Sequence, residues 1–206
     1  MPRPNRIQYD GAWYHVVNRG ASKRPIYYDV HDRRMFLACL AAAADRHKAE
    51  VHAYCLMGNH YHLLIRTPKG NLDRVMHQMA LNYSRYFNDR YGKDGRLCKD
   101  RYYPILIESD RYLLAVSRYI HRNPLAFKVE SLADYFWSSY PAYLGLRPAQ
   151  DWLHTEFTLG MCGGARAYEV LVESVLPSEV DLAYAESDPP TILGSEDFKR
   201  SVRARS

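Results

Sequence analysis

The sequence predicts an α+β fold of the ferredoxin-like kind, β-α-β-β-α-β, in which an antiparallel sheet carries helices on one face. One more helix, expected to be catalytic, and a C-terminal extension follow. Three observations predict this. Short runs of β-forming residues alternate with two long segments of helical period. The middle two runs are separated only by Met57-Gly58-Asn59, a turn, and so form a hairpin. A third helical segment follows the fourth run and stops at Pro124.

The elements follow in order. Trp13 to Asn18, rich in aromatic and β-branched residues, reads as the first strand. Arg19 to Tyr28 is a polar connection containing Gly20 and Pro25. From Asp29 to Lys48 the period becomes helical, with Met35, Phe36, Leu37, Leu40 and Ala43 as the apolar stripe and Asp29 as the start signal. Glu50 to Leu56 and His60 to Arg66 are the second and third strands, the latter ended by Pro68 and Gly70. Asn71 to Tyr91 is a second helix, with Leu72, Val75, Met79, Tyr83 and Tyr86 near one face, and Gly92 to Gly95 form a loop. Arg101 to Glu108, around Ile105, Leu106 and Ile107, is the fourth strand, and Ser109 or Asp110 caps a third helix that runs to Arg122. Beyond it, Trp137, Tyr140 and Tyr143 mark an irregular, partly helical packing segment, and Tyr168 to Val175 a helix. Ser187 to Pro190 reads as a linker, and Lys199-Arg200-Ser201-Val202-Arg203 as a basic tail. The expected division is a catalytic unit over 1–145 and a mainly helical extension over 146–206.

The chain's 206 residues suffice for one substantial domain with an extension, and 47% hydrophobic content excludes a disordered chain. The N-terminus has no apolar secretory core, and no apolar run is long enough to span a bilayer. Cys39, Cys55, Cys98 and Cys162 are scattered without zinc spacing, so reduced thiols in a cytoplasmic, nucleoid-associated protein are expected. The net charge of +5 is unevenly spread. Residues 1–130 carry 22 Lys and Arg against 12 Asp and Glu, whereas residues 131–206 carry 6 against 11. A basic region of this kind attracts phosphate backbones. Eighteen tyrosines supply aromatic faces on which unpaired bases can stack, although many must be core residues.

The chemistry centres on two segments. In a strand, residues two apart share a face, so His60 and His62 project together at the end of a hairpin and could share one divalent metal. The competing reading is two half-exposed strand residues. Tyr61, between them, would pack on the opposite face. In the third helix, Tyr119 and Asn123 stand four residues apart on one face. A phenol is a nucleophile only as it loses its proton, and a metal that polarises the phosphate reduces that demand. Tyr112, about two turns earlier on the same face, competes for the role. Asn123 could instead be only a helix C-terminal residue, and His121 faces elsewhere, toward backbone or solvent. Arg90, Lys93, Arg96, Lys99 and Arg101 form a basic run before the fourth strand, read either as a phosphate-contacting edge or as a solvated loop.

These segments resemble a known family. Pro25-Ile26-Tyr27-Tyr28, Tyr54-Cys55-Leu56-Met57-Gly58-Asn59-His60-Tyr61-His62-Leu63-Leu64 and Ser117-Arg118-Tyr119-Ile120-His121-Arg122-Asn123-Pro124 are similar to motifs of the IS200-type tyrosine transposases, most closely their REP-associated relatives. The similarity covers about residues 9–145, and Ile192 to Phe198 also resembles the tails of some members. It implies a His-hydrophobic-His nuclease in which His60, His62 and Asn123 bind Mg2+ or Mn2+. Tyr119 would attack single-stranded hairpin DNA, often a REP element, to give a 5′-phosphotyrosine and a free 3′-OH. Two departures stand out. Tyr61 is larger than the usual middle residue, and Cys98 and Asp100 stand where an aromatic residue and a glycine are usual. Two other functions remain open: a catalytically silent nucleic-acid-binding module with structural histidines, and a replication initiator or relaxase using the same chemistry.

Overall fold

The computed structural model describes residues 6–176, 178–185 and 190–205. Its element order begins β1 (Ala12–Arg19), α1 (Val30–His47), β2 (Glu50–Leu56), β3 (His60–Thr67), α2 (Leu72–Tyr91), β4 (Tyr103–Ile107) and α3 (Ser109–Arg122). The sheet order is β2-β3-β1-β4, antiparallel throughout, so each helical crossover skips one strand and the ferredoxin-like arrangement is present. A two-residue fifth strand, which sequence patterning did not reveal, adds parallel to β4 near the chain's end.

Each face of the sheet is covered. Tyr14, Val16, Tyr54, Leu63 and Ile65 pack with Phe36, Leu40, Val75, Met79 and Tyr83 of α1 and α2. Tyr61 joins this side, its ring 4.8 Å from that of Phe36. On the opposite face Ala53, Cys55, Leu64, Ile105 and Ile107 pack with Leu113, Val116 and Ile120 of α3. Strand alternation separates the two sets. Truncating one such fully buried leucine typically costs about 2–5 kcal/mol.

Local chemistry explains the helix starts. Asp29 forms a reciprocal capping box with Asp32 at the head of α1. The fully buried Asp32 carboxylate also accepts from Tyr86, Tyr91 and Arg90, tying α2 to α1. At α3 the N-cap is Glu108, not Ser109 or Asp110. Its carboxylate is drawn away from its own helix and accepts from the Ser195 backbone N–H at 2.6 Å and from the Ser195 hydroxyl at 3.0 Å.

The chain continues with α4 (Tyr140–Tyr143), and the extension then holds α5 (Glu156–Cys162), α6 (Ala165–Glu173), α7 (Glu179–Ala185), β5 (Ile192–Leu193) and α8 (Glu196–Arg203). The expected linker at 187–190 falls largely outside the described residues. The run read as a basic tail is part of α8, whose Val202 is buried in the core. No helix among the described residues is long and apolar enough to cross a membrane.

His121 departs from expectation. It is fully buried, its ring nitrogens 2.7 Å from Ser139 Oγ and 2.7 Å from the Tyr168 hydroxyl, so it ties α3 to the extension. Burial lowers its pKa from 6.5 to about 3, and burial lowers that of His52 to about 4 against an opposing pull from Glu50. A depressed histidine pKa means that the unfolded chain takes up the proton first. These residues therefore contribute stability that is present above about pH 6.5 and lost as pH falls toward their folded values, at about 1.4 kcal/mol per unit for each group. A clear drop in Tm is expected between about pH 7 and about pH 5, read by circular dichroism. A flat Tm across that range would contradict this assignment.

Candidate active site

The antiparallel register of β1 and β3 sets Val17 opposite His62 and Arg19 opposite His60. Alternation therefore puts His15, Arg19, His60 and His62 on the face covered by α3. The helix stripe that seats Val116 and Ile120 on the sheet brings Tyr119 toward that corner. Its ring centroid lies 5.8 Å from that of His62 and 5.8 Å from that of His15. The rings of His60 and His62 are 5.2 Å apart at 80°. Tyr112 instead lies beneath the Arg111 guanidinium, 5.3 Å from its ring centroid.

The two histidines of the pair differ in environment. His60 is partly exposed at the strand end, whereas His62 is buried, so the pair is less accessible than a strand-end position implies. Burial lowers both pKa values, that of His60 to about 4, with the nearby Arg19 charge acting in the same direction. Both imidazoles are thus neutral at neutral pH, the form that binds cations. His60 Nδ1 is 2.7 Å from Asn59 Oδ1, an oxygen that can only accept. His60 therefore carries its proton on Nδ1 and presents a bare Nε2.

Asn123 donates from Nδ2 to the Tyr119 carbonyl at 2.9 Å, which uses its nitrogen within the helix. Its carbonyl oxygen is the atom a cation would take. Among the described residues no group of three or more His, Cys, Asp or Glu side chains could hold a metal. Were the Asn123 amide oxygen to join the two imidazoles, as expected from its place one turn beyond Tyr119, the donors would form a mixed set with open positions of the kind that suits Mg2+ or Mn2+. Tyr119 is protonated at neutral pH: burial raises its pKa, and the Asp181 charge adds to the shift.

The third helix supplies a residue to which the sequence reading gave no role, and its partners lie in the extension. Arg118 is buried, pairs with Asp181 at the start of α7, and donates to the carbonyls of Leu171, Ser174 and Leu176. This clamp docks α7 on α3 and sets the Tyr184 ring 4.6 Å from that of Tyr119. His15, fully buried behind His62, was likewise not singled out. Its only signal in the sequence was a histidine at an interior strand position, and which strand it would pair with was not readable.

The five basic residues separate into two groups. Arg90 is engaged by Asp29 and Asp32, which ties α2 to the head of α1, and Lys93, just beyond α2, is engaged by the hydroxyl of Tyr28, just before α1. Arg96, Lys99 and Arg101 are exposed. Lys99 and Arg101 line a cleft of about 770 Å³ together with Arg6, Arg19, Tyr102 and Arg203. The Lys99 backbone N–H donates to the Arg19 carbonyl at 3.0 Å, which pins this loop to the end of β1 that faces His60.

Residues 8–123 match a family model described as "Transposase IS200 like". Among solved structures the chain is similar to a REP-associated tyrosine transposase bound to a REP hairpin, with a TM-score of 0.57 and 19% identity over 75% of this chain and 94% of that one. That likeness is one of fold. A candidate transposase from Deinococcus radiodurans R1 is more distant, with a TM-score of 0.41 and 16% identity over 55% of this chain and 92% of the other. No curated protein matches.

Proposed function

This chain belongs to the IS200-like transposase family, enzymes that cut and rejoin DNA, and from that premise we propose that it cleaves single-stranded hairpin DNA of REP-like form through a 5′-phosphotyrosine on Tyr119. The observation that carries the reading is the Tyr119 ring held 5.8 Å from that of His62 across the interface of α3 with the sheet. His60, His62 and Asn123 would hold Mg2+ or Mn2+, which when bound polarises a phosphoryl oxygen as a Lewis acid.

The chain's own residues do the rest. Tyr119 Oη attacks the phosphorus, a P–Oη bond forms and the P–O3′ bond breaks. The phenol releases one proton and the departing 3′ oxygen takes one up, so the exchange is neutral in protons. The ester formed resembles the bond broken, and a 3′-OH can reverse the step, which is what rejoining requires. The basic edge that positions the strand consists of Arg96, Lys99 and Arg101, joined by Arg19.

Incubation with single-stranded hairpin oligonucleotides and Mn2+ should give a protein–DNA band that survives denaturation and carries the fragment downstream of the cut, joined through its new 5′ phosphate. A free 5′-phosphate with no adduct would sink the mechanism. Binding is expected to be tighter to the hairpin than to the matching duplex. It should fall with salt at a log–log slope of roughly −3, since each of about four phosphate contacts contributes about 0.7 on single strands. Equal affinity for duplex, or a flat salt response, would count against this substrate.

A further inference from the structure

Behind the paired histidines lies a third, tied to the extension. His15 Nε2 is 2.9 Å from His62 Nδ1, and His15 Nδ1 is 3.0 Å from the Tyr184 hydroxyl. The chain His62–His15–Tyr184 runs inward from β3 through β1 to α7, and its middle member is only 1% exposed. Tyr184 reaches His15 because the Arg118–Asp181 pair docks α7 at that spot.

Two proton arrangements satisfy this chain. In one, Tyr184 donates to His15 and His15 donates to His62 Nδ1; the neutral His62 then carries its proton on Nε2 and has no lone pair to offer outward. In the other, His62 donates from Nδ1 to His15 Nε2, and His15 donates from Nδ1 to Tyr184 Oη. His62 then presents a bare Nε2, as His60 does through Asn59. Only the second arrangement lets both histidines ligate through the same kind of nitrogen.

We infer that His15 and Tyr184 are positioning residues for the metal site, holding His62 in its Nδ1–H tautomer and fixing its ring orientation from within the core. The inference rests on the metal-site reading above and extends it to residues outside the His60/His62 pair. A ligating imidazole whose second nitrogen has a fixed partner is pre-oriented and more basic, and loss of that partner typically weakens metal binding about 10- to 100-fold. The geometry also ties the extension to the chemistry, since α7 supplies the last partner of the chain.

The test is a Mn2+ titration of the full-length protein at constant pH, free Mn2+ being read by electron paramagnetic resonance. His15→Phe fills the same space without a hydrogen-bonding nitrogen and should raise the Kd by about 10- to 100-fold. His15→Gln places an acceptor near the position of Nε2 and should restore most of the affinity. If His15→Gln loses as much as His15→Phe, His15 is itself a ligand and the positioning role is overturned. Unchanged affinity in a folded His15→Phe protein overturns it too.

Should His15→Phe fail to fold, Tyr184→Phe removes one oxygen and keeps the ring; it should weaken Mn2+ binding to a smaller degree, and an unaltered Kd would overturn the role of Tyr184. Independently, 15N-histidine correlation spectra of the metal-free protein should show His62 as the Nδ1–H tautomer, and an Nε2–H tautomer would refute the inference. His60→Ala separates the two readings. If that variant binds Mn2+ as the wild type does, the metal site itself is wrongly assigned; if it does not, while His15→Phe binds normally, only this inference fails.

Discussion

Tyr119→Phe should abolish the covalent protein–DNA band and reduce cleavage to below about a thousandth of the wild-type rate, the scale on which loss of a nucleophile is felt. Hairpin binding and Tm should stay near wild type. The substitution removes one oxygen and keeps the ring that packs beside His15, His62 and Tyr184. Two other tyrosines make the test specific. Tyr112 shares the helix face but is about two turns away, roughly 10 Å along the axis. Nucleophile and metal must meet one phosphate within a few ångströms, and Tyr112 sits under Arg111 instead. The Tyr184 ring touches that of Tyr119, but its hydroxyl is committed to His15. Tyr112→Phe should therefore keep the band. A Tyr119→Phe protein that still forms it, with Tyr112→Phe or Tyr184→Phe losing it, would show that the nucleophile is another tyrosine.

Replacing His60 or His62 by Ala should remove metal-dependent cleavage while leaving DNA binding in place, and a chelator should do the same to the unaltered protein. His60→Ala is the cleaner variant because this side chain is partly exposed at the strand end and its loss opens no cavity in the core. His62→Ala empties a buried position and also strands His15 Nε2, so a lower Tm accompanies the lost activity. Asn123→Ala should be milder, since water can replace one oxygen ligand, although the helix also loses the bond from Nδ2 to the Tyr119 carbonyl. Cleavage by the His60→Ala, His62→Ala double variant at the wild-type rate, measured with Mn2+ at saturation, would mean that the cation binds elsewhere.

Much of the fold was legible because its signals are local. The Asp29 capping box, the Met57-Gly58-Asn59 turn and the stop at Pro124 each act within a few residues and mark the same boundaries in sequence and structure. The N-cap of α3 was misread because Glu108 answers to Ser195, a partner 87 positions away that no local rule can see. His121 was misread for a similar reason: its burial is created by Ser139 and Tyr168, which the chain returns to α3 only after it has left that helix.

The same division runs through the site. By itself the sequence determined that His60 and His62 share a strand face and that Tyr119 and Asn123 share a helix face, because periods of two and 3.6 residues are properties of the backbone. Only the tertiary structure decided what those faces meet. Pairing β1 with β3 placed His15 behind His62, and the buried Arg118 drew α7 across until Tyr184 reached His15. The same packing withdrew Arg90 from the basic run, because the capping carboxylates of α1 lie within its reach across the α1–α2 contact. Strand register and helix docking are settled by burying apolar surface over long sequence separations, and residues brought together that way leave no periodic trace along the chain.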